Sequence, residues 1–299
     1  MNLSCIQTIR SRYADLTAAE QKIADCILTH GAAVPQWSAA ELAARAGAAP
    51  SAVIRCCKSL GLRGYADLKL QLAAEFAKNR QLNYTPYIDP ADDDGAILDK
   101  VFAATVKSLH DTAERLDRAA LSQLIARMAD ARRIYLYAVG TSATLASEFC
   151  YRLMTLGYTA FAFTDVPSMK VSTLNVGTGD LAIGISHTGR TVATLDAMAL
   201  AQSAGADTAC ICGYPDSPLA QQCAVALAIS SDELQYPVEA MSARVAMLSL
   251  IDGITIALSA RHYDDTVRRA QQIHALVDSV RRPGQVRSEG GPSGCTRTE

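Results

Sequence analysis

The chain has 299 residues, a formal charge of −2 and 49% hydrophobic residues, which is enough for about two packed domains. No uninterrupted apolar run approaches the roughly 20 residues of a membrane span, and the N-terminus lacks a signal-peptide pattern, so we expect a cytoplasmic protein that does not bind membranes. The nine cysteines form no Cys-x-x-Cys pair and do not cluster with the five histidines, so we expect buried thiols and neither a structural metal nor a cofactor.

Residues 3–78 show all-helical periodicity, and residues 1–80, the predicted helix-turn-helix domain, contain ten Lys and Arg against six Asp and Glu. Capping-box patterns precede two of the apolar-periodic runs, at Thr17-Ala-Ala-Glu20 and Ser38-Ala-Ala-Glu41. The spacing predicts helices over 39–46, 50–60 and 65–78. The second of these has its predicted apolar stripe at Val53, Ile54, Cys57 and Leu60. Two helices at the spacing of the first pair are typical of a helix-turn-helix, although an ordinary small bundle would show the same periodicity.

Residues 81–98 are predicted to be a linker, because they contain two prolines, a glycine and three consecutive aspartates. We interpret Asp92–Asp94 as a solvated acidic loop near the next helix rather than a metal site. Helical periodicity returns over 99–129. The predicted inner positions of this segment are Val101, Val106, Leu109, Leu116, Leu121 and Leu124.

Strands and helices then alternate. The predicted strands are 134–139, 159–163, 181–185, 207–212 and 225–229. The helices predicted between them are 143–156, 167–175, 191–204 and 216–222. This rhythm predicts an α/β domain over 99–282, with a five-stranded parallel sheet flanked by helices. A helix over 239–260 is apolar nearly all round and should be buried, a helix over 262–281 closes the fold, and 283–299 should be disordered.

Two strand ends carry hydroxyl-rich turns. The run Asp180–Thr191 ends in Ser186, His187, Thr188, Gly189, Arg190 and Thr191, directly before a helix. A second turn follows the first strand at Gly140, Thr141 and Ser142. Free N–H groups and the positive end of a helix dipole favour an anion there, which suits a phosphate monoester. Such hydroxyls often only cap helices, but two turns at one sheet edge favour a phosphorylated ligand.

Two other chemistries fit less well. Gly184–Gly189 is not a Gly-x-Ser-x-Gly elbow, which argues against a hydrolase. Val139–Thr144 lacks the second and third glycines of a dinucleotide fingerprint, which argues against NAD.

Several motifs carry a family resemblance. IYLYAVGTS, DLAIGISHTGRT, CICGYPDSPLAQQCAVAL and EAMSARVAMLSLIDGITIAL resemble the sugar isomerase (SIS) fold, a phosphosugar-binding domain. SAAELAARAG and IRCCKSLGLRGYADLKL resemble the helix-turn-helix of the RpiR family of bacterial transcriptional regulators. The chain as a whole is similar to that family over roughly residues 5–280.

The resemblance implies roles for the turn residues. The Ser186–Thr191 turn would grip the phosphate, with Thr188 in place of the family's second serine, and Gly140–Ser142 would hold the other side. Arg190 replaces the more common Glu, and it could pair with the phosphate or point to solvent. Glu239 matches the zone of the isomerases' base. In a regulator it would bind a sugar hydroxyl or cap its helix.

DNA contact is expected from the helix over 50–60. Arg55 would reach a base edge or phosphate, with Ser51 beside it, and Lys58 and Arg63 would meet phosphates unless they are ordinary surface charges. This helix departs from the family pattern at Ala49, Ala52 and Cys56.

The expected function is that of a transcriptional regulator of sugar metabolism that senses a phosphosugar. Its expected partners are operator DNA, the phosphosugar effector and further copies of itself in a homodimer or homotetramer. The alternative is a sugar-phosphate isomerase or lyase with a helical accessory domain.

Overall fold

A computed structural model describes residues 4–81, 88, 89, 91–231 and 241–278. Within these ranges an N-terminal helical region precedes an α/β domain, so the predicted fold class is confirmed. Glu239 and the tail over 283–299, which was expected to be disordered, lie outside the described residues. The domain boundaries stay a prediction.

The N-terminal region contains five α-helices in its described part. They are α1 (Cys5–Arg12), α2 (Ala18–His30), α3 (Ala39–Arg45), α4 (Pro50–Ser59) and α5 (Tyr65–Gln81). Both predicted capping boxes are present, at the starts of α2 and α3, and a further box at Ser4 and Gln7 starts α1. These caps satisfy backbone N–H groups that a helix leaves without internal partners, and so they fix where each helix begins.

Helix α4 packs against α2 and α3 with an apolar face that differs from the prediction in three positions. The buried residues are Ala52, Val53, Cys56, Cys57 and Leu60, and Ile54 is 43% exposed. A helix turns by about 100° per residue, so Ile54 rotates away from the core while the smaller Ala52 and Cys56 fill the inner face. The prediction that Ile54 lies in the stripe was wrong.

The connection to the second domain is shorter than predicted. Helix α6 begins at Asp94 rather than near 99, and Asp93 caps it by accepting a hydrogen bond from the amide of Ala96. It runs to Arg115 and is followed by α7 (Arg118–Asp130). The side chain of Asp92 forms an ion pair with Lys100, which agrees with an acidic loop at a helix start.

The polarity of α6 is partly inverted. Its buried residues include Lys107, Ser108, Asp111 and Thr112, and Lys107 forms an ion pair with Asp111. The predicted inner residue Val106 is instead 61% exposed. The prediction for Val106 was therefore wrong, because an apolar pattern cannot show that the side facing the domain is polar.

The second domain is built on a five-stranded, wholly parallel sheet with the order β2-β1-β3-β4-β5. The strands are β1 (Arg133–Tyr137), β2 (Ala160–Phe163), β3 (Asp180–Ser186), β4 (Asp207–Cys212) and β5 (Val225–Ala228). From β1 the chain adds β2 on one side and then β3 on the other, so the strand order reverses between β1 and β3. In open parallel sheets, ligands bind outside the carboxyl ends of the strands at this reversal.

Helices cover both faces of the sheet. They are α8 (Ser142–Leu156), α9 (Val166–Ser172), α10 (Val192–Ser203), α11 (Pro218–Gln222), α12 (Met241–Arg261) and α13 (Tyr263–Asp278). Alternate strand residues enter one core with α7, α8 and α12, and the others enter a second core with α9, α10 and α11. This accounts for strands whose residues are almost all buried.

Helix α12 has the length and the apolar composition of a membrane-spanning helix, although its sequence contains no uninterrupted apolar run of that length. Half of that apolar stretch is buried inside the structure, where Ile251 and Ile254 lie in the core. The expectation that the helix is buried all round was wrong for Val245 and Ile256, which are exposed.

The amino edge of the sheet holds a buried carboxylate. Asp180, at the start of β3, accepts hydrogen bonds from the guanidinium groups of Arg132 and Arg133 and from the amide of Gly177. Burial alone would raise the pKa of Asp180, but the hydrogen bonds from Arg133 and Arg132 outweigh burial and lower it. This network ties β1 to β3 at the end opposite the hydroxyl turns.

Candidate functional site

The two predicted hydroxyl turns lie at the same edge of the sheet. Gly140–Ser142 follows β1, Ser186–Thr191 follows β3, and these strands are paired neighbours. Each turn leads directly into a helix, α8 and α10 respectively. The positive ends of two helix dipoles therefore face the carboxyl edge at the point where the strand order reverses.

The turn after β3 is held by its own hydroxyl groups. The Oγ of Ser186 accepts a hydrogen bond from the amide of Gly189 at 3.1 Å and lies 3.0 Å from the Oγ1 of Thr191. The Oγ1 of Thr188, an exposed residue, accepts a longer bond from the amide of Arg190 at 3.3 Å. Thr191 precedes α10 but makes no side-chain capping bond, so its hydroxyl does not occupy the first amides of that helix. The turn thus presents hydroxyl and amide donors to an anion.

Gly189 allows the turn to pack closely on a third loop. Its φ is +63°, and a Cβ added there would lie 2.2 Å from the Oγ of Ser217. Its carbonyl accepts a hydrogen bond from the amide of Leu219 at 3.0 Å. The segment around Ser217 resembles the SIS fold in sequence, but its pattern does not indicate that it supports the turn.

The turn after β1 complements this arrangement. Gly140 has a φ of +61°, Thr141 is exposed, and Ser142 is the buried first residue of α8. The carbonyl of Thr141 accepts a hydrogen bond from Thr144, and the Thr141 side chain makes no capping bond.

His187 packs against the loop that follows β4. Its ring lies 5.5 Å from the ring of Tyr214, and its carbonyl accepts a hydrogen bond from the amide of Gly213 at 2.8 Å. Burial and the positive charge of Arg10 lower the pKa of His187 to about 4. The imidazole is therefore neutral at pH 7 and supplies no positive charge to an anion.

Arg190 makes a contact that the sequence did not predict, and its pairing with a phosphate stays a prediction. Its guanidinium donates hydrogen bonds to the Asp15 carboxylate at 2.7 and 3.2 Å and to the carbonyl of Ser11 at 3.1 Å. Asp15 follows α1, so the turn is tied directly to the N-terminal domain. The two residues are far apart in the sequence, and no local pattern could have predicted the contact.

Other polar contacts hold α1 to the same edge. Asp216 accepts hydrogen bonds from Ser11 and Arg12, both at 3.5 Å. The amide group of Gln7 donates to Ser230, just beyond β5, at 2.9 Å, and Arg115 donates to the oxygen of Gln7 at 3.2 Å. Helix α1 therefore lies over the carboxyl edge with its polar face, while Ile6 and Ile9 belong to the N-terminal core.

The predicted DNA-contacting residues share an open surface. Ser51, Arg55 and Lys58 are exposed at the i, i+4 and i+7 positions of α4, which places them on one side of the helix. Arg63 is exposed beyond the helix, where its amide donates to Asp67. Ile54 also lies on this surface, although the sequence pattern placed it in the apolar stripe. Because a helix turns by about 100° per residue, a stripe centred on Val53 and Cys57 excludes Ile54, and this could have been read from the sequence. An aliphatic side chain at this position suits contact with a thymine methyl group.

Comparison with known proteins agrees with both domains. A model described as "Helix-turn-helix domain, rpiR family" matches residues 3–79, and the SIS domain model matches residues 127–257. An HTH-type transcriptional regulator of Caldanaerobacter subterraneus is 31% identical over 264 residues, which cover 88% of this chain and 93% of that protein. The chain belongs to the RpiR family of transcriptional regulators.

Two further proteins align over almost the whole chain. The HTH-type regulator HexR of Pseudomonas aeruginosa is 29% identical over 93% of this chain and 97% of its own length. The structure of the Vibrio vulnificus NanR protein complexed with ManNAc-6P is 24% identical, with a TM-score of 0.60, and the match covers 93% of this chain and all of that chain. At that identity the likeness shows a shared fold.

For this RpiR-family regulator, the predicted family, fold class and regulatory role are confirmed. The roles of the individual turn residues and of the α4 cations stay predictions, and Glu239 lies outside the described residues.

Proposed function

We propose that this RpiR-family regulator binds a sugar phosphate between the two hydroxyl turns and that the bound sugar phosphate changes its affinity for operator DNA in the cytoplasm. The observation that carries the proposal is the meeting of two helix N-termini with hydroxyl turns at the β1/β3 reversal. The solved NanR structure, which holds ManNAc-6P, supports sugar phosphates as the ligand class.

The ligand is tested first by thermal shift with sugar phosphates, including ManNAc-6P, against the unphosphorylated sugars. A ligand at 100 times its dissociation constant adds about 2.7 kcal/mol of stability. Stabilisation by a phosphorylated sugar and not by its parent sugar supports the proposal. Equal stabilisation by both would show that the phosphate is not recognised.

The turn is tested by changing Ser186 and Thr188 to Ala. This removes two hydrogen bonds to a charged acceptor, each worth roughly 1.5–3 kcal/mol, so affinity should fall at least tenfold. Thr155→Ala with Ser203→Ala is a matched control, because those hydroxyls bond to carbonyls near the far ends of α8 and α10. Equal calorimetric affinity of the two double variants would contradict the site.

DNA binding is proposed for the exposed surface of α4. Arg55→Ala should weaken operator binding by about 1–3 kcal/mol if Arg55 contacts a base. Lys22→Ala, at an exposed position of α2, controls for the loss of one positive charge. Unchanged operator affinity of the Arg55 variant in gel shifts at fixed salt would remove it from the interface.

We propose that the site binds its ligand without converting it. His187, the histidine of the turn after β3, is packed against Tyr214, and its lowered pKa of about 4 makes it a weak general base at pH 7. Incubating the protein with each stabilising sugar phosphate and following the sugar by NMR tests this. Catalytic turnover would favour the isomerase or lyase alternative.

We also propose a homodimer or homotetramer. Leu98, Phe102 and Val106 form an apolar stripe at i, i+4 and i+8 on α6, and they are 55%, 63% and 61% exposed. Such a stripe is typical of a contact surface, and a helix-turn-helix commonly binds two-fold half-sites. Light scattering should show an oligomer at micromolar concentration, and Phe102→Asp should weaken it. A monomeric wild-type protein would contradict the proposal.

A further inference from the structure

The turn proposed to bind phosphate already binds an anionic group of the same chain. Arg190 lies between Gly189 and Thr191 in the turn, and its guanidinium bonds both carboxylate oxygens of Asp15. Asp15 belongs to the N-terminal domain, in the short turn that follows α1. A positively charged group next to the phosphate turn is therefore engaged by a carboxylate of the domain that carries the helix-turn-helix.

The ion pair is open to exchange. The side chain of Arg190 is 33% exposed and that of Asp15 is 61% exposed, so water and solutes reach both partners. Ion pairs with this exposure are weak, and a phosphate with up to two negative charges competes well for a guanidinium. The backbone of Arg190 belongs to the turn, so its side chain can redirect towards the turn without moving the sheet.

We propose that Asp15 is an internal competitor for the effector's phosphate. When a sugar phosphate binds, Arg190 exchanges the Asp15 carboxylate for the phosphate group, and the negative charge of the phosphate repels Asp15. This inference rests on the proposed function and adds how the bound site acts on the N-terminal domain.

The exchange loosens α1 where it lies on the carboxyl edge. Among the described residues, the contacts that remain include the 3.5 Å bonds from Ser11 and Arg12 to Asp216 and the bonds of Gln7 with Ser230 and Arg115. Coupling between two sites is reciprocal. If phosphate binding weakens the Asp15–Arg190 contact, then that contact must weaken phosphate binding by the same factor. Removing the charge of Asp15 should therefore raise the affinity for phosphate.

The test uses the full chain and inorganic phosphate as the probe, titrated at constant ionic strength and followed by thermal stability. Asp15→Asn should bind phosphate about two- to fivefold more tightly than wild type, or about 0.4–1 kcal/mol at 1.4 kcal/mol per tenfold. Asp25→Asn is the matched control, because Asp25 lies in the same domain and bonds Tyr13. Arg190→Ala should bind about tenfold more weakly, and adding Asp15→Asn to it should raise the affinity by a smaller factor than in wild type, because no Arg190 is left to be released.

Hydrogen exchange gives a second measurement. Phosphate should speed amide exchange in residues 5–12 of wild type and leave it unchanged in Arg190→Ala. Any phosphate that still binds to the double variant Ser186→Ala, Thr188→Ala is assigned to sites outside the turn, and this binding is subtracted from that of every other variant.

The outcomes separate the two proposals. If wild type binds neither phosphate nor any sugar phosphate at the turn, the proposed function fails and this inference fails with it. If wild type binds at the turn but Asp15→Asn and Asp25→Asn bind equally, or if α1 exchange does not respond to phosphate, only the internal competition is overturned.

Discussion

Gly189→Ala is predicted to damage the phosphate turn through two separable effects. Gly189 has a φ of +63°, and holding a residue with a Cβ in this left-handed region costs about 1–2 kcal/mol. The added Cβ would also lie 2.2 Å from the Oγ and 2.5 Å from the Cβ of Ser217, and such overpacking costs about 1–3 kcal/mol more. The total expected loss of stability is roughly 2–5 kcal/mol.

Gly140 offers a matched control in the neighbouring turn. Its φ of +61° is nearly the same, but an added Cβ would meet nothing within 4 Å. Gly140→Ala should therefore lose only the backbone contribution of about 1–2 kcal/mol. Urea denaturation followed by far-UV circular dichroism, together with amide exchange of β3, measures both losses.

A second change isolates the clash. Ser217→Gly removes both atoms that the new Cβ would meet, and replacing a helix-capping serine by glycine costs only a few tenths of a kcal/mol. Gly189→Ala should cost about 1–3 kcal/mol less in the Ser217→Gly background. Equal losses at Gly140 and Gly189, or no relief in the double variant, would refute the argument that the turn is packed against Ser217.

Three further predictions concern stability. The pKa of His187 is about 4 in the folded protein and about 6.5 in the unfolded chain, so the unfolded chain binds more protons between these pH values. The free energy of unfolding should therefore fall by about 1–3 kcal/mol as the pH drops through this window. In urea titrations, His187→Gln should make the free energy of unfolding less dependent on pH in this window. Asp180→Ala should cost about 1–3 kcal/mol, because it removes the hydrogen bonds that Asp180 accepts from Arg132, Arg133 and the amide of Gly177, and a loss near zero in the same assay would contradict that role. Val53→Ala should cost about 1–3 kcal/mol while Ile54→Ala costs under about 0.5 kcal/mol, and thermal unfolding that ranks them the other way would reverse the assignment of the α4 faces.

Local patterns predicted the elements because their causes are local. The capping boxes at Thr17 and Ser38 mark helix starts through contacts only three residues apart, and each buried strand shows as a short apolar run before a turn. The same patterns did not give the orientation of every side chain. Ile54 and Val106 are apolar but face outward, because the neighbours that fill the inner positions are small in α4 and polar in α6.

The candidate site was predictable only in part for a related reason. The hydroxyl turns and the helices that follow them are continuous in the sequence, so their place at the carboxyl edge follows from the strand order. The partners of Arg190 and Gly189 come from Asp15 and Ser217, which lie in other segments. Contacts between distant segments leave no mark in local periodicity.

The position of α1 has a consequence for how the chain folds during its synthesis. Gln7 contacts Ser230, 223 residues later, so the docking of α1 on the sheet is incomplete until most of the chain has been made. At 5–20 residues per second, this interval is about 11–45 s. The helical region can form its own core in that time, because Ile6 and Ile9 already pack there. The docking of α1 on the sheet must then be a late step, and the surface that it leaves exposed until then is polar, which lowers the risk that nascent chains aggregate.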